Sequence, residues 1–330
     1  MTDLGCVAIG RNEGERLRVC LQSLLRSVRP EAIAYVDSGS TDGSVELARS
    51  LGIDVVALDL SIPFTAARAR NTGYQHLARK LAGLAFVQFV DGDCEVQAGW
   101  IERARARLIE RPELAAVCGR RRERHPEASL YNRLCDVEWD TPTGDVRSCG
   151  GDALIRLAAL EEVGGYDPSI IAGEEPELCV RLRARGWLVE RLDAEMTLHD
   201  AAMTKLGQWW KRQVRAGHAY AEGVAMHGAP PERHDVAQYR RAWFWAAGVP
   251  LVALGGAVPT MGASLALLAG YPVSAARVYR QKRRRGRSPL DAAVAGAFLT
   301  LGKFPELQGI LKYHWTRARG RRSGLIEYKR

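Results

Sequence analysis

The stretch "FVQFVDGDCEV", residues 86–96, runs a largely apolar block straight into two acids, Asp91 and Asp93, with Gly92 between them. A near-continuous apolar run of this length reads as a strand covered on both faces, as in the middle of a parallel sheet. Two carboxylates at its carboxyl end stand where hard oxygen ligands can hold Mg²⁺ or Mn²⁺, the cation's other positions taking diphosphate oxygens. Alone, an Asp-x-Asp pair says little, since short acidic pairs in loops are common and mostly just solvated. Its placement at a strand end is what gives it weight.

The same pattern repeats toward the N-terminus. "GCVAIG" (5–10), "AIAYVD" (32–37), "DVVAL" (54–58) and "AFVQFVD" (85–91) read as strands. Between them, "GERLRVCLQSLLRSV", "GSVELARSLG" and "TAARARNTGYQHLARKLAG" carry apolar residues at helical spacing. Strands alternating with helices imply an α/β fold with a mostly parallel sheet and helices on both faces. Ligands of such sheets bind outside the carboxyl ends of the strands. Those ends read "GRNEGE", "DSGSTDGS" and "DGDCE", polar loops rich in small residues that hand over to helix N-termini suited to anions. Three in series suggest one phosphate-bearing ligand along one sheet edge. After Trp100 the pattern predicts a helix, a strand in "AAVCGRRRER", an irregular stretch over 125–147, and a helix in "EEPELCVRLRARG".

At 330 residues the chain has room for one large domain and an appendage. Its formal charge is +9, yet from Arg277 onward it carries 15 Lys and Arg against 3 Asp and Glu, so that stretch holds +12 and residues 1–276 are left at −3. Residues 242–276 contain no charged side chain at all. An apolar stretch followed by a basic one fits an anionic lipid surface better than nucleic acid. The seven cysteines form no CxxC pair and are scattered at irregular intervals, so neither a zinc site nor a disulfide framework is suggested, and reduced cytoplasmic thiols fit better. Cys94, beside the two acids, reads as a neighbour only. The N-terminus has no basic segment ahead of an apolar one and does not read as a signal peptide.

From Cys6 to His199 the ordered succession "AIGRNEGERLRVCLQSL", "YVDSGSTDGS", "ARARNTGY", "FVDGDCEV", "GGDALIRLAALEEVGGYD", "GEEPELCVRLRARGW" and "LHD" resembles the inverting family 2 glycosyltransferases with the GT-A fold. The resemblance implies a metal-dependent transfer of one sugar from a nucleotide-sugar, by default a UDP-sugar, with Mn²⁺ or Mg²⁺ as cofactor. It implies nucleotide contacts from Asn12, Glu13, Asp37 and Ser38 and from the pair Arg70 and Asn71. Asp91 corresponds to the acid near the ribose or a metal-bound water, Gly92 lies with it on the donor side, and Asp93 corresponds to the direct metal ligand, completed by His199. Gly151 and Asp152, after Gly150, correspond to the loop where donor sugar and acceptor approach the backbone, with Trp139 and Asp140 just upstream. The family's usual Glu-Asp pair is here Glu174-Glu175, so Glu175 stands in the place of the base that deprotonates the acceptor hydroxyl, with Glu174 as neighbour or substitute. Each of these residues also has an ordinary structural use, as a helix cap, a solvated arginine or a core histidine.

The expected organisation is a catalytic domain over 1–205 (nucleotide half 1–100, acceptor half 101–205), an amphipathic interfacial helix region over 206–241, an apolar hairpin over 242–276 that enters one leaflet and returns, and a basic amphipathic region over 277–330. Trp209 and Trp210 beside Lys211 and Arg212 favour the interface. Pro250, Gly255, Gly256, Pro259 and Gly262 break the apolar stretch, and basic flanks at both ends argue against a single crossing. The expected acceptor is a lipid-linked or membrane-associated saccharide on the cytoplasmic side of the cell membrane, in envelope or exopolysaccharide synthesis. Nucleotidyl transfer is disfavoured because "GRNEGE" lacks a glycine-rich basic loop. The remaining alternative is a catalytically impaired membrane scaffold or polyanion-binding protein that uses the basic tail.

Overall fold

The computed structural model describes residues 3–320 together with 324 and 326; the end of the expected basic tail lies outside the described residues. The chain divides into two compact units. One comprises the chain up to Arg124 together with Trp139–Ala201, and the other His125–Glu138 together with the chain from Ala202 onward. The units therefore do not follow one cut near residue 205: a fourteen-residue segment from within the expected catalytic domain belongs to the second.

The first unit is built on one nine-stranded mixed sheet. Its strands are β1 (Leu4–Gly10), β2 (Ile33–Asp37), β3 (Asp54–Ala57), β4 (Phe86–Asp91), β5 (Cys94–Val96), β6 (Leu114–Glu123), β7 (Gly144–Asp145), β8 (Ala153–Arg156) and β9 (Leu188–His199). The order is β3-β2-β1-β4-β8-β6-β9-β5, with β7 also on β9. The first four are parallel, β8 is antiparallel to both neighbours, and β6 runs parallel to β9. β1 and β2 are buried along almost their whole length, which explains their unbroken apolar reading. Helices α1 (Glu15–Leu24), α2 (Ser44–Ser50), α3 (Ala66–Lys80), α4 (Trp100–Glu110) and, further along, α6 (Leu157–Glu162) and α7 (Glu174–Ala184) belong to this unit. α3 lies hard on the sheet because of Gly73, where a Cβ would come within 2.4 Å of Val7 Cγ1.

Two features aim the site. The carboxyl ends of β1, β2, β4 and β6 face the same edge. β6 also slips register against β9 at Cys118/Arg120 and Arg120/Arg121, irregularities of the kind that re-aim side chains near functional sites. β5 then pairs antiparallel with β9, setting Cys94 opposite His199.

The second unit is helical. The stretch expected to be irregular contains α5 (Leu130–Trp139), whose first turn is capped by Ser129 Oγ accepting from Asn132 N at 3.0 Å. α8 (Leu206–His227), α9 (Val236–Trp243), α10 (Val249–Gly255), α11 (Gly270–Arg284), α12 (Pro289–Leu301) and α13 (Lys303–Ala318) follow. Trp209, expected at a membrane interface, is fully buried with Leu134, Val137, Val294 and Ala295, and half-buried Trp210 donates to Gln308 Oε1 at 2.7 Å. The aromatic face of α8 is thus core of its own unit, because α12 and α13 cover it. α9 passes through a π-type turn over Phe244–Gly248 into α10, and the tight helical turn Ala263–Ala269 folds back on it, Ser264 Oγ donating to Ala253 O at 2.7 Å. No helix among the described residues is long and apolar enough to cross a membrane. Val258 and Met261, at the turn of this hairpin, are 88% and 97% exposed.

α8 and α13 cross backbone to backbone. A Cβ at Gly217 would lie 1.9 Å from Glu306 O, and one at Gly309 2.0 Å from Val214 O. Ala at either position gains about 1 kcal/mol in helix propensity, but forcing the helices apart costs more. We expect Gly309→Ala to lose roughly 2 kcal/mol or more overall, measured by urea denaturation; unchanged stability would show that the crossing is looser than described.

Candidate active site

At the ends of β1 and β2 the loops are stitched together. Asn12 adopts a left-handed conformation (φ 57°), its Oδ1 accepts from Thr41 N at 2.7 Å, and its own N–H donates to Ser40 Oγ at 2.9 Å. Asp37 is buried; Oδ1 accepts from the Tyr35 hydroxyl at 3.0 Å and Oδ2 from the N–H groups of Gly39 and Ser40 at 2.9 Å each. The carboxylate therefore shapes the Ser38–Ser40 turn as well as standing at the expected nucleotide position. Ser38 N donates to Gly10 O, and Glu13 pairs with Arg16 at 2.9 Å while its Cγ lies near Gly10 and Gly92. These four donor-side residues do come together at one edge.

The centre of the site is a buried guanidinium. Arg70, on α3, is 2% exposed. Its Nη1 donates to Glu174 Oε1 at 2.6 Å and its Nη2 to Asp91 Oδ1 at 2.8 Å, and its plane lies over the Tyr166 ring at 5.6 Å. Burial alone would weaken its hold on the proton, but Asp91 and Glu174 raise it. The amide of Asn71 donates to Tyr166 O at 2.7 Å and accepts from Tyr166 N at 2.9 Å. Of the expected nucleotide-side pair, Arg70 is thus held between two acids and Asn71 clamps the main chain of the aromatic beneath it.

Asp152, expected on the donor side, has its oxygens taken by protein partners. It is fully buried, with Oδ1 accepting from Asp91 N at 3.1 Å and Oδ2 from Thr197 Oγ1 at 2.8 Å and Arg121 Nε at 3.0 Å. It anchors the end of β4 from behind. Arg121, which the sequence reading passes over, sits 3.5 Å from Asp91 Oδ2 and over the Trp139 ring at 5.5 Å. The signal was present: three arginines follow an apolar strand toward the same edge as the two acids. Asp91 is flanked by two arginines, Arg70 Nη2 at 2.8 Å from Oδ1 and Arg121 Nη2 at 3.5 Å from Oδ2.

Gly151 lies where these groups converge. A Cβ there would stand 3.0 Å from Arg70 Nη2, 3.1 Å from Glu175 Oε1 and 3.2 Å from Asp91 Oδ2. The two glutamates that open α7 are unequal. Glu174 is buried and taken by Arg70. Glu175 is half-buried, and burial first, then the charge of Glu174, push its carboxyl up to about 7. That is the proton affinity of a general base working near neutrality.

Beyond Asp91, the β5–β9 pairing brings Asp93 Oδ2 to 3.4 Å from His199 Nε2, both residues buried. His199 Nδ1 lies 3.7 Å from Glu123 Oε2, and the ring packs edge-on against Trp139 at 4.8 Å. Glu123, also passed over, accepts from Ala201 N. Two donors on one cation at about 2.1 Å stand roughly 3.0–3.4 Å apart, so Asp93 and His199 fit a divalent ion without rearrangement.

Residues 7–147 match the family model described as Glycosyl transferase family 2. Glycosyltransferase AglE of Haloferax volcanii is 24% identical over 217 residues, which is 62% of this chain and 69% of that protein. The pre-mycofactocin glycosyltransferase of Mycobacterium tuberculosis is 26% identical over 320 residues, 89% of this chain; the chain spans 62% of that relative's length. The mannosyltransferase of Pyrobaculum calidifontis, solved with GDP-Man and Mn²⁺, superposes with a TM-score of 0.60 at 17% identity, covering 96% of this chain and 88% of that one. Glucosyl-3-phosphoglycerate synthase of M. tuberculosis, solved with Mg²⁺ and UDP, gives 0.51 at 16% identity over 69% and 80%. The fold is α/β and GT-A-like.

Removing the buried guanidinium strands two acids. Arg70→Leu is expected to cost roughly 3–5 kcal/mol. Urea denaturation checks this, with Arg70→Leu/Glu174→Gln expected to recover part of the loss; no recovery in the double variant would place the damage in packing.

Proposed function

We propose that the chain, whose residues 7–147 match the glycosyl transferase family 2 model, is a glycosyltransferase that moves one sugar, with inversion, from a nucleoside-diphosphate sugar to a hydroxyl of a membrane-associated, lipid-linked saccharide. The observation that carries this reading is Glu175, a carboxyl at about 7 facing Asp91 Oδ2 across Gly151. In the proposed reaction the acceptor oxygen bonds to the anomeric carbon as the bond from that carbon to the diphosphate breaks, and the hydroxyl proton passes to Glu175. Arg70 pairs with both Glu174 and Asp91, which leaves Glu175 as the carboxylate of the three without an arginine partner among the described residues and with its carboxyl pushed up to about 7. Gly151 leaves room for the reacting atoms between them. Asp93 and His199 would hold Mn²⁺ or Mg²⁺, which supplies positive charge against the leaving diphosphate. A UDP-sugar is our preferred donor; the structural relatives solved with GDP-Man and with UDP make both nucleotides worth assaying.

For the acceptor and the location we rely on the helical unit. Leu251, Val258 and Met261 expose apolar surface, and Arg277, Arg280, Lys282, Arg283 and Arg284 follow on α11. Apolar side chains beside clustered cations favour an anionic bilayer surface, here the cytoplasmic face of the cell membrane, where envelope or exopolysaccharide precursors are built. Sedimentation with phosphatidylglycerol vesicles, weak with phosphatidylcholine and reduced about tenfold or more in Val258→Asp/Met261→Asp, is expected. Recovery with neither lipid would remove the membrane from the proposal, and equal recovery with both would remove its preference for anionic lipid.

Incubation with Mn²⁺ and a panel of UDP- and GDP-sugars should release free sugar slowly, with release abolished in Asp93→Ala; silence across the panel would end the transferase assignment for these donors. Glu175→Gln should lower kcat about 10²–10³-fold, and the wild-type rate should rise through pH 7 as Glu175 loses its proton. The linkage has the opposite sign. Its folded value lies above the ordinary 4.5, so the stability that protonated Glu175 contributes is present at low pH and lost as pH rises through about 7. The Gln variant should therefore gain on wild type in melting temperature between pH 5 and pH 8. A parallel pH profile for both proteins would assign the shifted group elsewhere.

A further inference from the structure

We propose that Cys94 is a third donor to the cation held by Asp93 and His199, which makes this a mixed oxygen, nitrogen and sulfur centre preferring Zn²⁺, Co²⁺ or Cd²⁺ over Mn²⁺ and Mg²⁺. The inference rests on the reading of Asp93 and His199 as cation-holding residues. One donor atom from each of Asp93, Cys94 and His199 lies within 4.8 Å of the others, and all three residues are buried. The juxtaposition is built by the sheet: Cys94 is the cross-strand partner of His199, so their side chains share one face. Asp93 turns Oδ2 toward His199 Nε2 at 3.4 Å and Oδ1 toward Cys94 Sγ, which donates to it, at 3.5 Å. On one tetrahedral ion an oxygen and a nitrogen stand about 3.4 Å apart, as Oδ2 and Nε2 do here, and about 3.6 Å separates an oxygen from a sulfur, a spacing that small side-chain rotations reach from donors already within 4.8 Å of one another. A second group, Asp91, Cys94 and Asp152, is equally compact, but its acids are already engaged by Arg70 and Arg121. Cys94 therefore serves the His199 side.

The chemistry balances simply. The thiol releases its proton to solvent, the sulfur lone pair forms the bond to the divalent ion, and no electron changes hands. A thiolate in the ligand set selects the softer and later metals, and three protein donors leave one position on a four-coordinate ion. Zn²⁺ is thus expected to displace Mn²⁺ and to leave slowly.

Titrating the metal-free full-length protein with Co²⁺ tests this directly, because only sulfur ligation produces a near-ultraviolet sulfur-to-cobalt charge-transfer band. The band should appear in wild type and in Cys149→Ser, disappear in Cys94→Ser and Cys94→Ala, and be bleached by stoichiometric Zn²⁺. Zn²⁺ affinity should fall about a hundredfold in the Cys94 variants, since even outer-shell partners are worth 10–100-fold, while Mn²⁺ affinity, read by electron paramagnetic resonance, should change by less than about threefold. Circular dichroism keeps a misfolded variant from passing as a positive. If wild type binds Co²⁺ and Mn²⁺ without the band, or a Cys94 variant keeps it, sulfur ligation is overturned and the Asp93–His199 site stands. If neither metal binds wild type more tightly than Asp93→Ala, the cation site itself is lost and this inference with it.

Discussion

A single guanidinium, withdrawn from water and shared between Asp91 and Glu174, is the constraint on which the site depends. Arg70 approaches from α3, Asp91 from the end of β4 and Glu174 from the first turn of α7, so three elements distant in sequence are tied at one point. Each partner alone would be costly to bury, and together they are tolerable because each carboxylate accepts a charge-assisted hydrogen bond from the guanidinium. Tyr166 supports the plane of the arginine, and Asn71, the next residue on the same helix, holds the main chain of that tyrosine. Asp152 performs the same service from the other side, with Arg121 and Thr197 as its partners. The site is a nested set of ion pairs whose inner members hold the outer ones still.

This arrangement separates acids that the sequence presents as equals. Asp91 and Asp93 are two residues apart, yet one faces arginines and the other an imidazole, because the chain turns at Gly92 between β4 and β5. Glu174 and Glu175 are adjacent, yet on a helix successive side chains point about 100° apart; one is driven into the core and neutralised while the other keeps its face toward Gly151. Unequal surroundings give like groups unlike proton affinities.

Much of this could be read from residue order. The unbroken apolar character of β1, β2 and β4 marked a covered sheet, and the polar small-residue loops after them marked the edge where Asn12, Asp37, Asp91 and Asp93 gather. His199 was placed by resemblance, and its pairing with Cys94 shows why it arrives there. What could not be read depended on side chains meeting across the fold. The roles of Asn71 and Asp152 turned on Tyr166, Thr197 and Arg121, which no local spacing connects to them. Helix α5 was hidden because its buried face, Leu134 and Val137, is completed by Trp209 and Val294 from much later in the chain. For the same reason Trp209 read as an interfacial residue: an aromatic beside lysine and arginine looks alike at a membrane surface and at the rim of a helical core.

The ladder that joins β5 to β9 spans about a hundred residues between its two strands, and it sets Cys94 across from His199. Asp93 precedes that strand by one residue, so the imidazole and the carboxylate meet only once β9 has paired with β5. A cation held there, as proposed, would be a latch as well as a reagent, since its binding energy would be available only to chains that have closed the sheet.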